Sequence, residues 1–211
     1  LTYPATLNAF LNAGWDVEIG DTDKYGILKF GAGEGGIYDC LVGLYGKMPW
    51  EQSRIERSHG VIVDGAQHWL AAPPDTIGAA MAISFDPTKN LPNYGSGGMI
   101  LTDDAVMYES MLDFRDNGKF TDHNYTGTNS RMSEADCAQM TVKLQYFDEW
   151  QRRRTDIANY YIDHLYQYCD ILIPNEHVTH AWHKFVIRTH DRAALQSKLS
   201  WHGIESKMHY D

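Results

Sequence analysis

Residues 82–104 read "AISFDPTKNLPNYGSGGMILTDD". Two apolar runs flank a bend rich in glycine, and a single lysine, Lys89, sits between the first run and the glycines. A solvated lysine needs no such setting, whereas a reactive one does. The flanking runs, "AAMAISF" and "GGMILTD", have the length and composition of buried strands. Further towards the N-terminus, "VIVDG" and "IYDCLVGLYG", the latter closed by Gly46, read as two more, and "DVEIGD" as a short strand. "PATLNAFLNAG" places Leu7, Phe10 and Leu11 at helical spacing and stops at Gly14, and "EQSRIERSHG" reads as a short helix ending at Gly60. Strands alternating with helices predict an α/β layer around a mostly parallel sheet.

On the C-terminal side the spacing of Ala138, Val142, Phe147, Trp150, Ile157, Tyr161 and Leu165 predicts one helix. Ser133 caps it, and Asp136 three residues on completes a weak capping box. Running to about Tyr168, it would span on the order of 50 Å, long for a globular helix and suited to bridging two domains. "ILIP", "KFVIRT", the helix "DRAALQSKLSWHG" and the strand-like "IESKMHY" then make a small α/β unit. The expected organisation is a large domain over residues 1–130, a connecting helix over 131–168 and a small C-terminal domain over 169–211. Leu1 opens the chain inside an element, and "MHYD" closes it directly after a strand-like run. We therefore expect a piece of a longer protein, truncated at both ends.

Of 211 residues, 43% are hydrophobic and 22% charged, which is a globular composition. The net charge of -10, with no basic block beyond "RRR" at 152–154, argues against nucleic acid as a partner. No apolar run is long enough for a membrane helix, and no signal peptide opens the chain. Cys40, Cys137 and Cys169 are odd in number and widely spaced, and read as reduced thiols of a cytoplasmic protein.

Asp64 ends "VIVDG", just past the carboxyl end of a buried strand, where α/β sheets place their ligands. It reads equally well as a turn or helix-cap aspartate. Paired with Lys89, at the end of the next strand, it becomes more specific. Pyridoxal phosphate chemistry needs a lysine for the Schiff base and an acid for the pyridinium nitrogen. Ser84 either offers its hydroxyl to a phosphate or is an ordinary strand-end serine. His177, His180 and His183 in "EHVTHAWH" invite a metal reading. In a strand, however, i and i+3 face opposite ways, and no cysteine or paired carboxylate joins them, so no metal is expected. "GEGG" at 33–36 lacks the spacing and following helix of a dinucleotide or P-loop site.

Taken in order, "VIVDGAQHW", "ISFDPTKNLPNYGSGGMILTDD", "GTNSRMSEADCAQMTVKLQYFDEWQRRRTDIANYY" and "AWHKFVIRT" resemble the nucleotide-sugar aminotransferases of the DegT/StrS group. These are enzymes of fold type I that depend on pyridoxal 5'-phosphate. Any one motif is weak, but several in the right order over nearly the whole chain are not. The resemblance implies that Lys89 is the Schiff-base lysine and Asp64 the partner of the pyridine nitrogen. It puts Gln67 beside the ring and its phenolic oxygen, Ser84 on the phosphate, and Tyr3 in the place of the aromatic residue stacked on the ring. Asn129 matches an asparagine that reaches the phosphate of the neighbouring subunit, which implies a homodimer. The implied substrates are a nucleotide-linked keto-sugar and an amino donor, expected to be glutamate. Some sugar dehydratases of the group replace the lysine with histidine, and Lys89 argues against that alternative. A non-catalytic cofactor-binding sensor or structural relative is the other, against which the intact Asp64, Gln67 and Lys89 set argues. The sequence departs from the group's pattern at Ser96, at Asp86 where an aromatic is usual, and at Gly43 where a histidine is usual. The stretch between Gln67 and Ala82 is shorter than usual.

Overall fold

The computed structural model describes residues 2–24, 26, 28, 39–47, 60–69, 78–121, 127–172 and 180–209. The first element is helix α1, Pro4–Asn12, with Tyr3 at its N-cap. Proline suits the first turn because the N–H it lacks would have no intrahelical partner there. Gly14, just past the end, takes φ +80, a conformation that costs glycine little.

The sheet consists of β1 (Asp39–Val42), β2 (Val61–Asp64), β3 (Ala80–Ser84) and β4 (Gly98–Leu101) in that spatial order. β1–β2 and β2–β3 are parallel, and β4 runs antiparallel at the edge. The expected mostly parallel sheet is thus present, with one reversal. The lysine bend causes that reversal: it returns the chain directly beside β3 without the helical crossover that a parallel neighbour requires.

Strand alternation divides the two faces. Leu41, Val63, Met81 and Ile83 are buried on one side with Phe85, Leu91, Met140 and Phe147. On the other side the register sets Val42, Asp64, Ala82 and Ile100 in one row across all four strands. Ala82 and Ile100 are exposed in that row, so this face is open beside Asp64.

After β4 comes α2 (Ala105–Arg115), which the sequence reading passed over although Asp104 caps it, accepting from the N–H groups of Val106 and Met107. The long helix expected from Ser133 is two helices, α3 (Glu134–Leu144) and α4 (Phe147–Leu165). No proline or glycine breaks it. The break lies at Gln145–Tyr146, where Phe147 enters the core and stacks on Trp69 at 5.7 Å, fixing the first turn of α4 from outside the helix. Ser133 caps α3 as expected, accepting from the N–H of Asp136 at 3.1 Å.

A two-stranded antiparallel sheet follows, β5 (Asp170–Ile171) with β6 (Ile187–Arg188), and then α5 (Arg192–Trp201), capped by Asp191. Two expected strands are not strands. Residues 16–21 and 204–209 are irregular, because no neighbouring strand among the described residues offers them a ladder of hydrogen bonds. The expected helix in "EQSRIERSHG" lies outside the described residues apart from Gly60. No helix among the described residues is long and apolar enough to cross a membrane.

Candidate functional site

The site lies at the carboxyl ends of β2 and β3, on the open face of the sheet. Asp64 is the last residue of β2, and both its carboxylate oxygens are engaged. Oδ2 accepts from the Thr6 hydroxyl at 2.6 Å, and Oδ1 from the Ala66 N–H at 3.0 Å. The turn reading and the ligand-site reading of Asp64 are therefore compatible: a local bond orients the carboxylate, and α1 is pinned to it from across the chain. Beside it in register, Ala82 contributes only a methyl group, leaving room on that face.

Lys89 sits in the loop after β3. Its N–H donates to the Asp86 carbonyl at 2.8 Å, and the Asp86 carboxylate accepts from both the N–H and the hydroxyl of Thr88. These bonds, led by that of the Thr88 hydroxyl, hold the Asp86 carboxyl below the usual carboxylate range. At the usual aromatic position, then, this chain has a turn-forming acid. Burial pulls the Lys89 amine below the ordinary lysine value, and the Asp64 and Asp86 carboxylates partly offset it. The Asp64 carboxylate thus acts electrostatically on the Lys89 amine.

The loop is held firmly. Phe85 N–H donates to Gly97 O and Asn93 N–H to Phe85 O. Helix α3 supports it through Lys143, whose ammonium donates to Pro92 O at 2.6 Å and lies 4.6 Å from the Tyr94 ring centroid. Gln139 donates to the buried Asn93. A Cβ on Gly98 would lie 2.7 Å from Ile83 O and one on Gly97 3.0 Å from Met132, whereas at Gly95 there is open space.

Gln67 Oε1 accepts from the Tyr45 N–H at 2.7 Å, which leaves its amide nitrogen as the donor end. Ser84 Oγ accepts from the Asp86 N–H at 3.3 Å, at the base of the lysine loop. Tyr3 is exposed, one helical turn before the Thr6 that meets Asp64, and so belongs to the same end of the sheet. Asn129 stands elsewhere. It is exposed and bridged to Asp116 beyond α2, next to the Arg115 and Arg131 ion pairs with Asp116.

Several residues around the site were not foreseen. His68 is fully buried and fills the space above Gly43, where a Cβ would lie 1.7 Å from its Nδ1. Burial pushes its pKa down to about 4. Lys47, also buried, pairs in a β-bridge with His180, and burial lowers its amine to about 8 against the pull of Asp23. The segment 181–184 docks on the same region. Ala181 N–H donates to Gly46 O, and Lys184 N–H to Tyr45 O at 3.0 Å. Only glycine fits at position 46, where φ is +107 and a Cβ would come within 2.8 Å of the His183 backbone nitrogen. His180 Nδ1 accepts from the Trp182 N–H, and His183 Nδ1 meets Asn90. His177 lies outside the described residues, among which no group of three His, Cys, Asp or Glu could hold a metal ion.

A half-buried lysine with a weakened hold on its proton, under the electrostatic influence of a carboxylate held at a strand end of an α/β sheet, falls in the class of perturbed groups that mark functional sites. Comparison with known proteins narrows the class. The sequence profile of the DegT/DnrJ/EryC1/StrS aminotransferase family matches residues 43–211, and the chain belongs to that family. Its fold is the α/β architecture of fold type I, shared with solved members of the family. The chain is 38% identical over 136 residues to the erythromycin biosynthesis sensory transduction protein EryC1 of Saccharopolyspora erythraea, a match covering 62% of this chain and 37% of that protein. It is 34% identical over 157 residues to a dTDP-3-amino-3,6-dideoxy-alpha-D-galactopyranose transaminase of Aneurinibacillus thermoaerophilus, covering 73% and 42%. The solved structure of NtdA from Bacillus subtilis with bound cofactor PMP superposes with a TM-score of 0.68 at 26% identity, covering 77% of this chain and 41% of that one. The chain spans less than half the length of these proteins.

Proposed function

We propose that the protein carrying this chain is a pyridoxal phosphate-dependent aminotransferase that moves an amino group from glutamate to a nucleotide-linked keto-sugar, working as a cytoplasmic homodimer. The observation that carries the proposal is the electrostatic influence of Asp64, at the end of β2, on Lys89 in the loop after β3, with burial already lowering the Lys89 amine. Family membership and the transaminase among the relatives support the reaction class. In this reading residues 1–130 form the cofactor-binding domain, 131–168 the helical connection and 169–211 the small domain. The separate four- and two-stranded sheets support that division.

The residues present fit the cofactor. Ala82 leaves space for a flat ring beside a carboxylate whose direction is already set by Thr6 and Ala66. Asp64 would hold the pyridine nitrogen, Gln67 would donate its amide to the phenolic oxygen, Ser84 would reach the phosphate, and Tyr3 would cover the ring. When bound, the cofactor supplies an electron-withdrawing ring that labilises the proton on the donor's α-carbon. The chain's own part is proton management. Asp64 keeps the ring nitrogen protonated by charge, and Lys89 Nζ takes the α-proton as a base and returns it. An unperturbed lysine, with a pKa of about 10.4, is almost wholly protonated at neutral pH. Partial burial moves Lys89 towards the free amine that this task needs.

The test is the visible absorption that pyridoxal phosphate gains when it binds. Wild-type protein should show the band and lose it on adding glutamate, and Lys89→Ala should show neither band nor turnover. A normal band in Lys89→Ala, or a band that no amino donor bleaches, would refute the reading. The family resemblance, together with the position of Asn129 away from Asp64, supports a role for Asn129 in the partner's phosphate site. Mixing Lys89→Ala with Asn129→Ala protein should therefore restore activity, because one site in each mixed dimer is intact. No recovery on mixing would remove the shared-site dimer.

A further inference from the structure

Asn90, the residue after Lys89, is 5% exposed and makes three bonds that leave the chain no choice in its orientation. Its Nδ2 donates to the Ala181 carbonyl at 2.6 Å and to Gln151 Oε1 at 3.1 Å. Gln151 is itself oriented, because its Nε2 donates to the same carbonyl at 2.9 Å. Reversing the Asn90 amide would set its oxygen against a carbonyl and an amide oxygen, with no donor between them. The oxygen Oδ1 therefore faces His183 Nδ1, at 3.2 Å. An amide oxygen only accepts, so the proton of the ring lies on Nδ1.

We propose that Asn90 is a positioning residue for the reaction proposed above: it locks His183 as the Nδ1–H tautomer, makes Nε2 the ring's basic atom, and ties the lysine loop to segment 181–183. The charged groups around His183 come from four places. Lys89 and Asp86 stand on the lysine loop, Arg154 on α4, Lys184 beside it in sequence, and His209 near the end of the described chain. Burial, then the cations Lys184, Lys89 and Arg154, push the His183 pKa down to about 3. An amide at position 90 is compatible with that neutral state, because it accepts from Nδ1–H without adding a negative charge. Lys89 can thus gain and lose its proton with no imidazolium beside it. A carboxylate at position 90 would stabilise the imidazolium, which would then be a second proton-bearing group beside Lys89 and compete with it for the proton.

The inference rests on the aminotransferase reading for its purpose but not for its test. In 15N-labelled purified protein, long-range 1H–15N spectra at neutral pH, taken with and without pyridoxal phosphate, should show His183 with Nδ1 protonated and Nε2 bare. The resonance is assigned by its loss in His183→Gln. Asn90→Asp should raise the His183 pKa by at least about one unit, as an opposite charge in contact does. The acid limb of the rate profile should move up with it, while Asn90→Gln or Asn90→Ala should leave that limb in place. An Nε2–H tautomer or an imidazolium in the wild type overturns the proposal even if every variant fails to fold. So does a folded Asn90→Asp protein whose His183 signals and acid limb are unmoved. If the tautomer is as expected but no cofactor band forms, the aminotransferase reading alone fails.

Discussion

The pairing of Gly43 with His68 can be tested by a double-mutant cycle. Gly43 has φ -79, which any residue can adopt, so an alanine there meets no backbone strain. Its Cβ would instead stand 1.7 Å from Nδ1, 2.1 Å from Cγ and 2.6 Å from Cβ of His68. Those are overlaps with the near end of a ring that is fully buried, so rotation about a distal bond cannot relieve them. Overpacking of this kind costs about 1–3 kcal/mol, and the upper end applies because the ring has no exposed side to move towards. His68→Ala leaves a void, and large-to-small changes in a core cost about 2–5 kcal/mol. In the double variant the alanine methyl enters space that the imidazole has vacated, so the steric cost disappears and part of the void is filled. The double variant should therefore be no less stable than His68→Ala alone. The coupling should be about 2 kcal/mol in favour of the pair, well beyond the roughly 0.5 kcal/mol within which independent sites add. Urea unfolding of the four proteins at one pH, followed by far-UV circular dichroism, measures it. Additive losses, or a Gly43→Ala protein as stable as wild type, would refute the packing argument. The same cycle bears on the departure noted at position 43. With a buried histidine supplied from position 68, this chain has no space for one at 43.

Two further outcomes follow from the same geometry. Stability should fall on acidification from about pH 6.5 to about pH 4, because the buried His68 and His183 and the half-buried His180 have folded pKa values near 4, 3 and 3 against an ordinary 6.5. The unfolded chain takes up their protons first as pH drops, so the stabilisation is complete above about 6.5 and shrinks below it. For His68 alone the shift corresponds to at most about 3 kcal/mol, and urea midpoints measured across that range should show a shallower slope in His68→Gln. Asp104→Ala removes the acceptor for the N–H groups of Val106 and Met107 at 2.8 and 3.0 Å, and should cost about 1 kcal/mol by the same measurement. A loss below the error would mean that water caps α2 equally well.

Which parts of the site could be read from the chain depends on the range of the interactions that make it. Asp64 and Lys89 stand at the ends of short apolar runs, and such runs announce strands through composition alone. The parallel order of β1, β2 and β3 follows from the intervals between them, so two strand-end residues could be brought together without coordinates. The Asx-type bond from Ala66 to Asp64 is local, and the turn reading captured it. The bond from Thr6 to the same carboxylate joins positions 58 residues apart, and nothing about a threonine in the first turn of a helix marks it for that role. Asn90 carries the same lesson further. Its neighbour Lys89 drew attention to the loop, but the partners that fix Asn90 lie 61, 91 and 93 residues away. Each is an ordinary side chain or carbonyl where it stands in the sequence. Apolar periodicity was equally blind to the break between α3 and α4, because Met140 and Phe147 keep helical spacing across it and both reach the core. What interrupts the helix is a ring from another segment, Trp69, stacked on Phe147. Pattern thus singled out Lys89 and Asp64, whereas the groups bonded around them are selected by tertiary contacts that leave no periodic trace. A substitution that spares Lys89 and Asp64 but removes Asn90, Thr6 or Gly46 should therefore disable the site while leaving every readable motif intact.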